Sequence, residues 1–165
     1  MNRTRAGLLA GAARAFAADG VRGSTMQSVA AASGVAKGTL YNYFRTKDDV
    51  VGALVAAELD RLREVAAERP LPDALVALAD ELGTHPVLRR VATTEPERLV
   101  LDAERWEVVT RRLAAALGVP DDAAELAARW LLGVVVQPGR TTVRRRQAEA
   151  VARAVAALSA AAGPG

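Results

Sequence analysis

The sequence predicts an all-α fold. Three observations carry this: alanine recurs throughout the 165 residues, apolar side chains return at intervals of three and four, and Pro/Gly punctuation falls between those runs. The strict alternation of a half-buried strand is almost absent. The length suits one domain, or a small module fused to a helical body, and is enough to bury a core.

In chain order, the first helix is expected over 3–19, where Leu9, Ala13, Phe16 and Ala17 trace one face. The same N-terminus, MNRTRAGLLAGAARAFAADG, imitates a secretory leader, but Arg14 interrupts its apolar run and the helical face accounts for it. Short helices are expected over 25–32 and 36–43. A longer one, 47–68, opens with Thr46 and Asp49 at the spacing of a reciprocal cap. ERPLPDA breaks the chain before helices over 72–83 and 86–92. The next, 95–117, follows Thr94 and Glu97 in the same cap spacing. VPDDAAEL places acids in the first turn of 121–136, where the helix dipole favours them, and VQPGRTT separates that helix from the last, 142–161. This makes about nine helices, with no internal repeat and no low-complexity segment beyond an Ala-rich tail ending AAGPG.

Composition excludes several function classes. There is no cysteine and a single histidine, His85, so neither a thiolate nor a histidine-built metal site is expected, and no cofactor. No nucleophile–base constellation or phosphate-cradling glycine loop is visible, which argues against an enzyme. No apolar stretch approaches the roughly 18–20 residues of a membrane span, so a soluble, cytoplasmic protein without membrane partners is expected. The net charge of +3 is unevenly spread: residues 1–47 hold seven basic side chains against Asp19, a net of +6, on a mildly acidic remainder. A basic head of this kind is the electrostatic footprint of a polyanion-binding surface.

Within that head, Ala30, Gly34 and Leu40 have the spacing of two short helices crossing steeply: a small residue at the contact, a turn residue tolerant of positive φ, and an apolar residue packing back. On the second helix, Leu40 and Phe44 share the inward face. Lys37, Gly38, Thr39, Tyr41, Asn42 and Tyr43 are left around the remainder. Small residues near the helix start permit close approach to DNA, and the polar and aromatic side chains suit phosphates, base edges and thymine methyls. The two tyrosines also fit simple packing against neighbouring helices, hydroxyl outward.

These residues resemble the TetR family of bacterial transcriptional repressors. STMQSVAAASGVAKGTLYNYFRTKDDVV is similar to that family's helix-turn-helix, and AARAFAADGVRGSTM to the run that leads into it; the likeness covers about residues 3–55. It implies a three-helix DNA-binding domain over 1–47, a helical regulatory and dimerisation domain over 48–165, and a homodimer released from a palindromic double-stranded DNA operator by a small effector. Carried onto matching positions, it implies phosphate contacts from Thr25, Tyr43 and Lys47, with Gln27, Lys37, Gly38, Thr39, Tyr41 and Asn42 facing the groove. The family often carries Ser or Thr where Ala36 stands, so a cap and phosphate donor is missing, and the body is shorter than usual.

The body is read more coarsely. Trp106 and Trp130, the only tryptophans, lie on apolar helices and either anchor the core or line a pocket. The pocket reading takes Leu62, His85, Leu99, Trp106, Val109 and Trp130, with an apolar or aromatic effector; His85 equally fits a turn beside Pro86. VRRRQ, 143–147, reads as a solvated rim. Leu131, Leu132 and Val135, with Val151, Val155 and Leu158, form stripes suited to a four-helix dimer interface, or to packing within one chain.

Overall fold

A computed structural model describes residues 2–161, with side chains from Thr4 onward. Among them are nine α-helices, one 3-10 turn and no strand. The helices are α1 Asn2–Gly23, α2 Met26–Ser33, α3 Lys37–Tyr41, α4 Lys47–Ala66, α5 Leu71–Thr84, α6 Pro86–Thr94, α7 Ala103–Leu117, α8 Asp121–Val136 and α9 Thr141–Ala161; the 3-10 turn is Pro96–Leu99. The end of the AAGPG tail, from Ala162, lies outside the described residues.

Most boundaries follow the predicted caps. Asp49 N–H donates to Thr46 Oγ1 at 3.1 Å, and the Asp49 carboxylate accepts from Thr46 N–H at 2.9 Å, closing the reciprocal cap of α4. Asp121 and Asp122 fill the first turn of α8.

The expected helix 95–117 is corrected. Thr94 ends α6, its hydroxyl donating back to Arg90 O, and α7 starts only at Ala103, with Asp102 accepting from Arg105 N–H at 2.9 Å. Pro96 is the physical reason. It supplies no N–H and disfavours α geometry at Glu95, so the chain makes one tight turn and restarts. Another deviation lies in α1, which is continued to Gly23 across a kink at Gly20, φ 77° and ψ 170°.

The chain folds as two compact units: Met1–Glu58 with Pro86–Arg98, and Leu59–His85 with Leu99–Gly165. In the first, α1 packs on α2 and α6, and α2 on α3. Leu8, Phe16, Val29, Leu40 and Val50 are the largest apolar side chains fully buried in it. In the second, α8 packs on α5, α7 and α9. Leu75, Leu78, Leu131, Val134 and Val155 share one core with Ala123, Ala127, Ala148 and Ala152, whose small side chains let the helices approach.

Two side-chain readings change here. Arg144, within VRRRQ, is no rim residue but 7 % exposed: it donates to Asp80 at 2.8 Å and to Pro138 O at 3.0 Å, tying α9 to α5 and to the loop before it. It shares a face with Ala148, Ala152 and Val155, which carries it inward. Leu131, Val135 and Val155, expected at a dimer interface, are buried within the protomer, Leu131 and Val155 in its core. Of that set Leu132 and Val151 are half-buried, and Leu158 is exposed.

Candidate nucleic-acid interface

The surface is built from α2, a turn and α3. Thr25 opens α2 in extended geometry; its Oγ1 accepts from Ser28 N–H at 3.1 Å while its own N–H donates to Ser28 Oγ at 2.9 Å. Two of the backbone donors left open at the start of α2, those of Thr25 and Ser28, are thereby satisfied. Gln27 follows, exposed. At the other end Gly34 adopts φ 69°, a conformation a side chain would strain. Gly34 N–H reaches Ala31 O and Val35 N–H reaches Ala30 O, each at 3.1 Å. That closure reverses the chain in two residues and aims α3 across α2.

α3 is a single short turn of helix without a side-chain cap. Ala36 occupies its N-cap with no side-chain bond, as the missing Ser/Thr predicts. Leu40 and Phe44 anchor it, 0 % and 5 % exposed, and the Arg5 guanidinium lies 5.7 Å over the Phe44 ring. Of the other predicted reading residues on this segment, Lys37, Gly38, Tyr41 and Asn42 are exposed, and Thr39 and Tyr43 are half-buried. The Lys37 ammonium sits 5.6 Å from the Tyr41 ring, a cation–π contact that presents the pair together. A Cβ at Gly38 would meet nothing within 4 Å on the protein side, so glycine there leaves room outward rather than relieving an internal clash.

Lys47 is placed differently from Thr25 and α3. Its ammonium donates to Val21 O at 2.7 Å, Ser24 O at 2.8 Å and, more weakly, Arg22 O at 3.4 Å. These are carbonyls left without helical partners where α1 ends, and a cation is favourable there.

Sequence reasoning passed over Glu95. Only 3 % exposed, it accepts from Arg22 N–H at 3.0 and 3.1 Å and from Arg98 Nε at 2.7 Å. Burial opposes its ionisation, but bonds from the Arg22 backbone, the Arg98 guanidinium and the Val21 backbone, with the Arg98 charge, outweigh that and hold its pKa below the ordinary carboxylate value. The available signal was its spacing: Glu95 continues the buried stripe Val87, Val91 at intervals of four.

In the second unit, Trp130, Gly133, Val134, Gln137 and Gln147 line a cavity of 240 Å³ between α8 and α9. Of the residues expected in a pocket only Trp130 lines it. Trp106 is instead held against α8, with the Arg129 guanidinium 5.4 Å over its ring, and Leu62 packs on the core. Leu99 closes the 3-10 turn, His85 ends α5 just before Pro86, and Val109 is half-buried on α7. No group of three or more metal-ligating side chains occurs among the described residues, and none of their helices is long and apolar enough to cross a membrane.

Residues 8–54 match the family model "Bacterial regulatory proteins, tetR family". No curated protein matches the sequence. Solved structures do. A putative TetR-family transcriptional regulator from Mesorhizobium loti is 18 % identical with a TM-score of 0.66, covering 95 % of this chain and 96 % of its own. The TetR family repressor AlkX from Dietzia sp., implicated in biodegradation of n-alkanes, is 18 % identical at TM-score 0.64, covering 92 % and 94 %. The fatty acid degradation regulator FadR from Bacillus halodurans gives the same identity, TM-score and coverage. Residues 8–54 are thus similar to the TetR-family N-terminal domain, and over more than nine-tenths of the chain the fold is shared with these TetR-family structures.

Proposed function

We propose that the protein is a sequence-specific transcriptional repressor that binds a palindromic operator as a homodimer and is released from it by a small apolar or aromatic effector. The observation that carries the reading is the outer face of α3. Lys37, Gly38, Thr39, Tyr41 and Asn42 remain outside a turn closed by Gly34, in a segment where basic residues far outnumber acids. In this reading the DNA-binding domain is the 1–47 head and 48–165 regulates and dimerises. Thr25 and Tyr43 position the head on phosphates while Gln27 and the α3 face read the groove.

Release requires an effector that binds the non-operator conformation more tightly, since equal affinity for both shifts nothing. Apolar effector chemistry is supported by the body's alanine- and leucine-rich core and by relatives of the same fold concerned with n-alkane and fatty acid degradation. The 240 Å³ cavity beside Trp130 falls below the roughly 300–1,000 Å³ usual for ligand sites, which favours a small molecule there. That small volume also sustains a second reading, an architectural DNA-binding protein whose body takes no ligand. A thermal-shift screen of small apolar compounds separates the two.

Selection of bound duplexes from random DNA by the full-length protein tests the main reading. An enriched inverted repeat is expected. Absence of enrichment, or enrichment of a site without two-fold symmetry, refutes it.

A further inference from the structure

Val21–Ser24, the four residues between the kink at Gly20 and the cap Thr25, are gripped by side chains from three directions. After the kink at Gly20, the N–H of Arg22 is held by Glu95, the residue just past α6. The carbonyls of Val21 and Ser24 are held by Lys47, from the start of α4. Ser24, 1 % exposed, donates its hydroxyl proton to Gly20 O at 2.7 Å, with Ala15 O a longer second acceptor at 3.2 Å. The next residue is Thr25, the cap of α2, and two further on stands Gln27.

We propose that Lys47 and Glu95 are positioning residues for DNA binding: each holds the backbone of Val21–Ser24, setting the direction in which α2 presents Thr25 and Gln27, and neither touches DNA. For Lys47 this replaces the phosphate contact that the family resemblance implies. An ammonium has three protons, and three backbone carbonyls take them, two at short distance. Reaching a phosphate would strip the end of α1 of its cation and leave carbonyls unpaired. Glu95 serves the same four residues from the N–H side, and it comes from a segment, 86–98, that the chain enters from the second unit and leaves back into it.

The inference rests on the DNA-binding reading above, and the test keeps the two apart. The full-length protein, Lys47→Met, Lys47→Arg, Glu95→Gln and the double variant Lys47→Met/Glu95→Gln are compared on a duplex selected by the unaltered protein. Lys47→Met should weaken binding about tenfold, the worth of one charge-assisted hydrogen bond, at every salt concentration with an unchanged salt slope. A lost phosphate contact would instead flatten the slope by about 0.9. Lys47→Arg should also weaken binding, because a planar guanidinium does not reproduce an ammonium converging on carbonyls; a phosphate contact would survive that change. The double variant should bind no worse than about the weaker single, since both residues hold one corner. Amide exchange at Arg22, measured without DNA, should accelerate in Glu95→Gln.

A slope reduced by about one in Lys47→Met, full affinity in Lys47→Arg, or unchanged exchange at Arg22 each overturns the proposal. Should the unaltered protein select no DNA while Arg22 exchange still responds, the DNA-binding reading falls and with it the positioning role, leaving only the clamp as a structural fact.

Discussion

Gly20→Ala probes the corner most directly. At φ 77° and ψ 170° Gly20 occupies a region essentially reserved for glycine, so an alanine there is strained by about 1–3 kcal/mol. A Cβ would also fall well inside contact distance of Glu95 Oε1, with Thr94 Oγ1 at 3.4 Å closing the other side. The carboxylate must then leave Arg22 N–H and Arg98, and hydrogen bonds to a charged group contribute about 1.5–3 kcal/mol. Against this, alanine restricts the unfolded chain, a gain of about 0.4–1 kcal/mol. The first unit should therefore lose roughly 2–4 kcal/mol. Urea denaturation with amide exchange resolved over α1 and α2 measures it. In a Glu95→Ala background the clash is gone, and the same substitution should cost only the strain, about 1–2 kcal/mol after the entropic gain. A loss below about 0.5 kcal/mol, or one equal in both backgrounds, would show that Gly20 and Glu95 are not coupled.

The lowered pKa of Glu95 has a definite sign: its ionised form stabilises the fold above the ordinary glutamate pKa of about 4.3, and that contribution fades as pH falls through the lower folded value. The stability gap between the unaltered protein and Glu95→Gln should hold from neutral pH to about 5 and shrink on further acidification; a gap independent of pH refutes the assignment. Arg144→Met should destabilise the second unit by about 2–3 kcal/mol in urea, less than for a fully buried pair because Asp80 keeps water contact, and a neutral result would mean the guanidinium is dispensable packing. On α9, Leu158→Glu should yield folded monomers by light scattering if that face dimerises, whereas Val155→Glu should unfold the unit, and a dimeric Leu158→Glu moves the interface elsewhere.

Periodicity and punctuation made the helices legible because each test is local. Apolar spacing, a cap and a breaker lie within one or two turns of the residue they decide, which is why Thr46, Asp49, Gly34 and Asp121 fall where expected. The helix over 95–117 failed for a reason of the same range: Thr94 and Glu97 imitate a cap, but Pro96 between them and Asp102 beyond compete for the start, and the proline decides. The α3 face was legible for a different reason. Leu40 and Phe44 consume the inward side of a very short helix, and everything else is outward by elimination.

What stayed hidden was which charged side chains turn inward. Glu95 and Arg144 each occupy an apolar register, 87–91–95 along α6 and the residue that follows it and 144–148–152–155 on α9, but the groups that make their burial tolerable lie far off in sequence. Arg22 N–H is 73 residues from Glu95, and Asp80 is 64 from Arg144. The same blindness affects the stripes on α8 and α9. A seam facing another helix of the same chain and one facing a second copy have identical period, so Leu131, Val155 and Leu158 read alike until the fold separates them. The core takes Leu131 and Val155; Val136, Val143 and Leu158 remain outside, 45 %, 37 % and 37 % exposed. Any pairing of two copies through these helices must be built on that outer set with the half-buried Leu132 and Val151, so charge placed at Leu158 reports on assembly and charge placed at Val155 reports on folding.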